Sequence, residues 1–240
     1  MKPRPASVTS GIGLAAVLAV CGVAPAAGCD LALVLAVDVS GSVDSREYRT
    51  QMRGLAAGLR DPVVAEALVR GEASVALVQW AGTMRQDLSV PFTAIRSPDD
   101  IEALAQSVEA TPRAWPFFST ALGEALQFSA ATFDRVPDCR RRVIDISSDG
   151  RSNEGIKPGA VMALLQDAGI TVNALVIQDG DPRLPGYFYE NVIVGSGAFV
   201  VTADNYQDYP ERMRRKLRRE TEAQIAFLHP GNLQTGDDAE

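Results

Sequence analysis

Histidine is nearly missing from this sequence: one residue, His229, among 240. A Ser-His-Asp triad, a histidine metal cluster or a histidine general base has almost nothing to be built from. Cysteine is scarce too, and three thiols make neither a disulfide-dense scaffold nor a Cys-rich zinc site. Lysine numbers three against 20 arginines, and aromatic residues make up only 6% of the chain. With 30 acidic against 23 basic side chains, the charge has the wrong sign for general nucleic-acid binding. No apolar run reaches the roughly 20 residues of a membrane-spanning helix, so no transmembrane segment is expected.

What is present begins with a targeting pattern. Lys2 and Arg4 precede a 13-residue apolar stretch, Gly11 to Val23, and the small residues Ala24-Pro25-Ala26-Ala27. This reads as a secretory signal peptide over residues 1–28. Residues 11–16 match the dinucleotide pattern G-x-G-x-x-A, but no strand precedes them and they lie inside the signal. Removing Lys2 and Arg4 takes the net charge from −7 to −9, and removing Cys21 leaves Cys29 and Cys139. The arginine bias and abundant alanine suggest a GC-rich bacterial source, hence a periplasmic destination.

Residues 29–230 read as one α/β domain, and the polar stretch 231–240 as a disordered acidic tail. Leu31 to Val37 is a continuous apolar run, as in a parallel strand buried on both faces. Further strands are expected at 73–80, 87–92, 142–148, 170–177 and 198–202, with Pro91 placing 87–92 at a sheet edge. A capping-box pattern at Asp44 to Glu47 opens a helix whose inner face is Tyr48, Met52, Leu55, Ala56 and Leu59. Ser97-Pro98-Asp99-Asp100 opens another. Helices are also expected near 120–133, 158–168 and 208–228. Strands alternating with helices imply a three-layer, doubly wound, mostly parallel sheet flanked by helices, Rossmann-like in class.

Two strands end in chemistry. Asp38-Val39-Ser40-Gly41-Ser42 follows the first, and Asp149-Gly150 follows Val143 to Ser148, with Thr120 at a helix start between them. Ligands bind at the carboxyl ends of such strands. Two carboxylates and three hydroxyls there form an oxygen-only donor set, suited to a hard divalent cation such as Mg²⁺. Asp38, Ser40, Ser42, Thr120 and Asp149 together resemble the metal-ion-dependent adhesion site of the von Willebrand factor type A (VWA) fold. The resemblance spans roughly residues 30–228. Within it the chain is similar to the bacterial DUF1194 family of exported proteins. The narrower likeness rests on Leu33 to Ser40, Arg141 to Gly150, Tyr189 to Ile193 and Gly197 to Val200.

The resemblance implies Mg²⁺, with Mn²⁺ or Ca²⁺ as substitutes, held directly by hydroxyls and through water by at least one Asp. It also implies a coordination position open to a carboxylate from an unidentified partner protein. Two rival readings are a Mg²⁺-dependent hydrolase of the phosphoesterase kind and a domain whose ion only stabilises the fold. Against catalysis, Ser40 stands where a haloacid-dehalogenase-like phosphatase needs its second carboxylate. Neither a Walker A loop nor a G-x-S-x-G elbow occurs.

Trp115, Phe117, Phe118, Tyr187 and Tyr189 fall in segments leaving the sheet at the same end, as a rim for partner contact. Cys29 and Cys139 precede the two aspartates by similar spans, at the far end of neighbouring strands, and are expected to form a disulfide. The competing reading makes Cys29 a lipoprotein anchor. Arg212, Arg214, Arg215, Lys216, Arg218 and Arg219 make the last helix basic. Peripheral contact with anionic lipid is one reading, a solvated face over a packed stripe the other.

Overall fold

The computed structural model describes residues 28–136 and 138–228. All but the last residue of the expected signal peptide, with Cys21, and also His229 and the expected acidic tail, lie outside the described residues. Strand β1 (Leu31–Asp38) is buried along its whole length. Its side chains alternate, with Leu31, Leu33, Leu35 and Val37 in one core and Ala32, Val34 and Ala36 in the other. The unbroken apolar run is thus two interleaved faces, each covered by helices.

Beside it lie β2 (Ser74–Trp80), β3 (Gln86–Ala94), β4 (Arg141–Ser148), β5 (Ile170–Ile177) and β6 (Val200–Ala203). The order is β3-β2-β1-β4-β5-β6, parallel except for β3, which pairs antiparallel at the edge where Pro91 lies exposed. Chain order reverses between β1 and β4. A cleft opens there at the carboxyl ends of the strands.

Helices α1 (Ser45–Leu59), α2 (Pro62–Arg70), α3 (Pro98–Ala110) and α7 (Tyr209–Leu228) cover one face. Helices α4 (Leu122–Thr132), α5 (Met162–Asp167) and α6 (Leu184–Asn191) cover the other. The capping box forms as its residues predict: the Asp44 carboxylate accepts from the Arg46 and Glu47 amides, and Glu47 accepts from the Asp44 amide at 2.6 Å. The expected inner face of α1 is buried throughout. A Cβ on Gly54 would lie 2.9 Å from the Tyr209 ring, and one on Gly58 2.8 Å from Leu217. Those glycines let α7 seat directly on the α1 backbone.

Two helices go beyond the expected set. Helix α2 carries a start signal in Asp61-Pro62, an N-cap followed by proline at the first helical position. Helix α6 is hidden by Pro182, Pro185 and Gly186, yet it buries Leu184 and Phe188 in the core. Expected helix 158–168 is split into a 3₁₀ turn at Pro158–Ala160 and the short α5.

The basic face of α7 is largely engaged within the protein. Arg214 and Arg215 bond Glu211, Arg218 makes a two-pronged contact with Asp61 at 2.9 and 2.7 Å, and Arg219 stacks 3.8 Å from the Phe199 ring centre. Lys216 is fully buried, 2.5 Å from Asp145 and 3.0 Å from Glu220. Asp145 therefore has a structural partner, as its place inside a strand predicts. These contacts tie most of the helix's basic side chains to the protein itself.

Cys29 and Cys139 are joined, with Cα atoms 4.4 Å apart. The bond occupies the sulfur that lipid anchoring at Cys29 would need. Under non-reducing conditions the protein with these two cysteines should weigh two hydrogens less than after reduction, by intact mass spectrometry. Paired replacement by serine should cost at most about 4–5 kcal/mol in urea unfolding, the chain-entropy limit for so long a loop.

Asp61 both caps α2 and receives Arg218, whose hydrogen bonds hold its carboxyl below the usual carboxylate range. A depressed carboxyl adds stability that is complete above its unfolded-state value and fades as pH falls through the folded one. Asp61→Asn should therefore be less stable than wild type at neutral pH. Denaturation across about pH 5 to about pH 2 should show that gap closing.

Candidate functional site

Parallel pairing of β1 with β4 sets Val37 opposite Ser147, so both strands deliver their last residues to the same cleft. Asp38 is fully buried there. One of its carboxylate oxygens accepts the Ser40 amide at 2.8 Å, and the other accepts the Ser148 hydroxyl. Burial, then the nearby charge of Asp149, pushes the Asp38 carboxyl up to about 7. Asp149 is held from two sides, accepting from Ser42 Oγ at 2.6 Å and from Tyr206 Oη at 2.9 Å. The same burial and the neighbouring acids raise the Tyr206 phenol strongly, so it stays a neutral donor.

The three hydroxyls form a chain. Thr120 Oγ1 donates to Ser40 Oγ at 3.2 Å, and Ser40 Oγ lies 3.4 Å from Ser42 Oγ. All five sequence-predicted residues therefore meet at one point. Ser40 and Thr120 are buried beside Asp38, Asp149 is half-buried and Ser42 is exposed. The cluster runs from core to solvent.

Three surrounding loops are locked to it. Arg113 donates from its guanidinium to the carbonyls of Val39 at 3.0 Å and Ser40 at 2.7 Å. The Gly41 amide donates to the Phe118 carbonyl at 2.8 Å. Asn153 Oδ1 accepts the Thr120 amide at 2.9 Å, and the Asn153 amide returns a bond to the Thr120 carbonyl at 2.9 Å. Gln51 reaches from α1 to the Asp38 carbonyl at 3.3 Å. Sequence reasoning missed Ser148, Arg113, Asn153, Gln51 and Tyr206. Only Ser148, adjoining Asp149 at a strand end, carried a signal.

The cleft opens as a cavity of about 760 Å³ whose lining includes Ser42, Thr120, Asp149, Phe117 and Phe118. Phe117 is 90% exposed and Phe118 40% exposed. The other expected rim residues stand apart from that lining. Trp115 packs against the α1-side core, Tyr187 Oη accepts the Ser152 amide at 3.3 Å, and Tyr189 is exposed on α6.

This donor set suits a hard cation on physical grounds. Two carboxylates converge, one raised by burial and by the other's charge, and the Arg113 guanidinium beside them is spent on backbone carbonyls. A divalent ion would supply the missing positive charge, and clustered hydroxyl oxygens are ligands it accepts. Among the described residues no three His, Cys, Asp or Glu side chains are grouped to hold a metal. Any ion here would depend on the serines and the threonine.

Solved structures share this architecture. Proximal thread matrix protein 1 from the mussel byssus superposes with a TM-score of 0.61 at 18% identity, over 79% of this chain and 47% of its own. The same protein with a zinc-occupied MIDAS motif gives 0.60 at 19% identity, over 79% and 48%. A von Willebrand factor type A protein from Catenulispora acidiphila gives 0.57 at 18%, over 80% and 43%. The chain thus spans about half the length of these structures or less. Its fold is that of a VWA domain.

The chain belongs to the family described as "Protein of unknown function (DUF1194)", whose model matches residues 28–225. No curated protein matches it by sequence.

Arg113→Ala should release the loop after β1 without touching any of the five clustered side chains. The expected cost is about 1.5–3 kcal/mol for lost charge-assisted bonds. Hydrogen exchange should quicken at the amides of residues 40–43 while the β1 amides keep their protection.

Proposed function

We propose that this protein is an exported VWA domain that binds Mg²⁺ through Asp38, Ser40, Ser42, Thr120 and Asp149 and captures a partner protein's carboxylate at that ion. The observation that carries the reading is the meeting of two carboxylates and three hydroxyls at the β1–β4 switch point, with one carboxyl buried and uncompensated. An ion with few direct carboxylate ligands keeps its electrophilicity, and an external carboxylate is the anion it would recruit. Mn²⁺ or Ca²⁺ would serve with the same oxygen donors, within the limits of cavity size and geometry. The zinc-occupied motif of the byssus protein supports a divalent ion at the corresponding point of the fold.

Binding is favoured over hydrolysis. A serine nucleophile is commonly activated by a histidine, and no histidine lies among the described residues. Export is supported by the charged, apolar and small-residue pattern of residues 1–28 and by the Cys29–Cys139 bond, which belongs to an oxidising compartment such as the periplasm.

Calorimetric titration of Mg²⁺ tests the site. Asp149→Ala and Asp38→Ala should each weaken binding by at least about 10-fold, the lower bound for disturbing a metal's surroundings. Equal affinity in wild type and Asp149→Ala would remove the site. Chelator should abolish capture of partner protein, and turnover of a phosphoester that vanishes in Asp38→Ala would favour the hydrolase instead.

A further inference from the structure

One wall of the cavity has a chemistry that the metal cluster alone does not use. Phe117 is 90% exposed, among the most exposed of the large apolar side chains, and lies beside Ser42, Thr120 and Asp149 in the cavity lining. Phe118 is fixed next to it. Its carbonyl takes the Gly41 amide, and its ring lies beneath the Arg85 guanidinium at 4.6 Å. Arg85 donates to the Met84 carbonyl, and among the described residues no carboxylate lies within ion-pair distance of it. Arg151 faces the same cavity from across the site, bonded to Asp181 and stacked 5.0 Å from the Tyr187 ring centre. The floor is thus a cation-seeking cluster, one wall is aromatic, and the paired Arg151 and Asp181 complete the lining.

We infer that the segment this site takes carries an apolar or aromatic residue directly beside its Asp or Glu, seated on Phe117 and Phe118. This rests on the metal-dependent reading above and narrows its partner. Water is a poor neighbour for a phenylalanine exposed this fully, and burial under an apolar side chain removes that surface from solvent. The charges agree. A chain with acidic excess repels an acidic partner at long range, so attraction must be local, at the ion and the aromatic wall. The backbone around the aromatic pair is already anchored to the loop after β1, so little ordering accompanies binding.

Fluorescence polarisation with two labelled, capped pentapeptides tests this, one with a central Asp between two Phe and one with it between two Ser. In Mg²⁺ the Phe-flanked peptide should bind about fivefold to tenfold tighter. Phe117→Ser, at a position too exposed to affect folding, should cut that ratio. Phe117→Ala with Phe118→Ala should bring it near one, with Mg²⁺ uptake by calorimetry and the thermal midpoint unchanged. Equal affinity for the two peptides, no peptide binding by Mg²⁺-loaded protein, or a preference that survives the double variant would overturn the inference. Failure of the wild type to take up Mg²⁺ is read separately in the calorimeter and would sink the metal reading beneath it.

Discussion

A carboxylate at the end of a strand buried on both faces is the constraint around which the rest of this structure is arranged. Asp38 sits in the core, and an isolated charge there is costly unless hydrogen bonds and an opposite charge offset it. The protein provides the hydrogen bonds, from the Ser40 amide and the Ser148 hydroxyl. The Arg113 guanidinium donates to backbone carbonyls of the following loop instead. Strand order then brings Asp149 close, which raises the Asp38 carboxyl further. The result is a prearranged deficit of positive charge, open to solvent only on the Ser42 side.

The opposite strategy operates one turn of structure away. Lys216, Asp145, Glu220 and Asn173 form a buried polar cluster in which the lysine meets both carboxylates and Asn173 donates to Glu220 at 2.8 Å. This cluster fixes α7 to β4 and β5, while Gly54 and Gly58 let the same helix press onto α1. Tyr206, in the loop that leads into α7, bonds Asp149. The seating of α7 and the geometry of the strand-end carboxylate are therefore mechanically continuous. Two buried aspartates on adjacent strands thus have different fates. Asp145 receives a lysine of its own, and Asp38 does not.

Much of this was legible along the chain, for reasons that can be named. The β1 run, the capping box at Asp44 and the inner face of α1 are local patterns enforced by burial and by unpaired helix amides. The meeting of the five oxygen-bearing side chains was legible because strand ends and the loops after them hold fixed places in a doubly wound sheet. Helix α2 was not among the expected helices, although Asp61-Pro62 is a short start signal for it. Helix α6 was not, since Pro182, Pro185 and Gly186 are local signals against a helix, and burial of Leu184 and Phe188 overrides them. Nor could the rim be sorted. Phe117 and Phe118 reach the cavity, whereas Trp115 packs inward and Tyr187 is held by Ser152.

By itself the sequence determined the α/β class, the five oxygen-bearing residues that the fold gathers and the pairing of its two later cysteines. It also pointed to a site made of oxygen, through its near lack of histidine. Each of those depends on residue type and on spacing along one strand or one helix. Only the tertiary structure decided which groups brace the donors, which aromatics face them, and that the arginines of α7 are largely engaged by Asp61, Glu211 and Phe199. The physical reason is range. Arg113 to Ser40, Tyr206 to Asp149 and Arg218 to Asp61 are contacts between residues far apart in the chain, and packing alone brings them within hydrogen-bond distance.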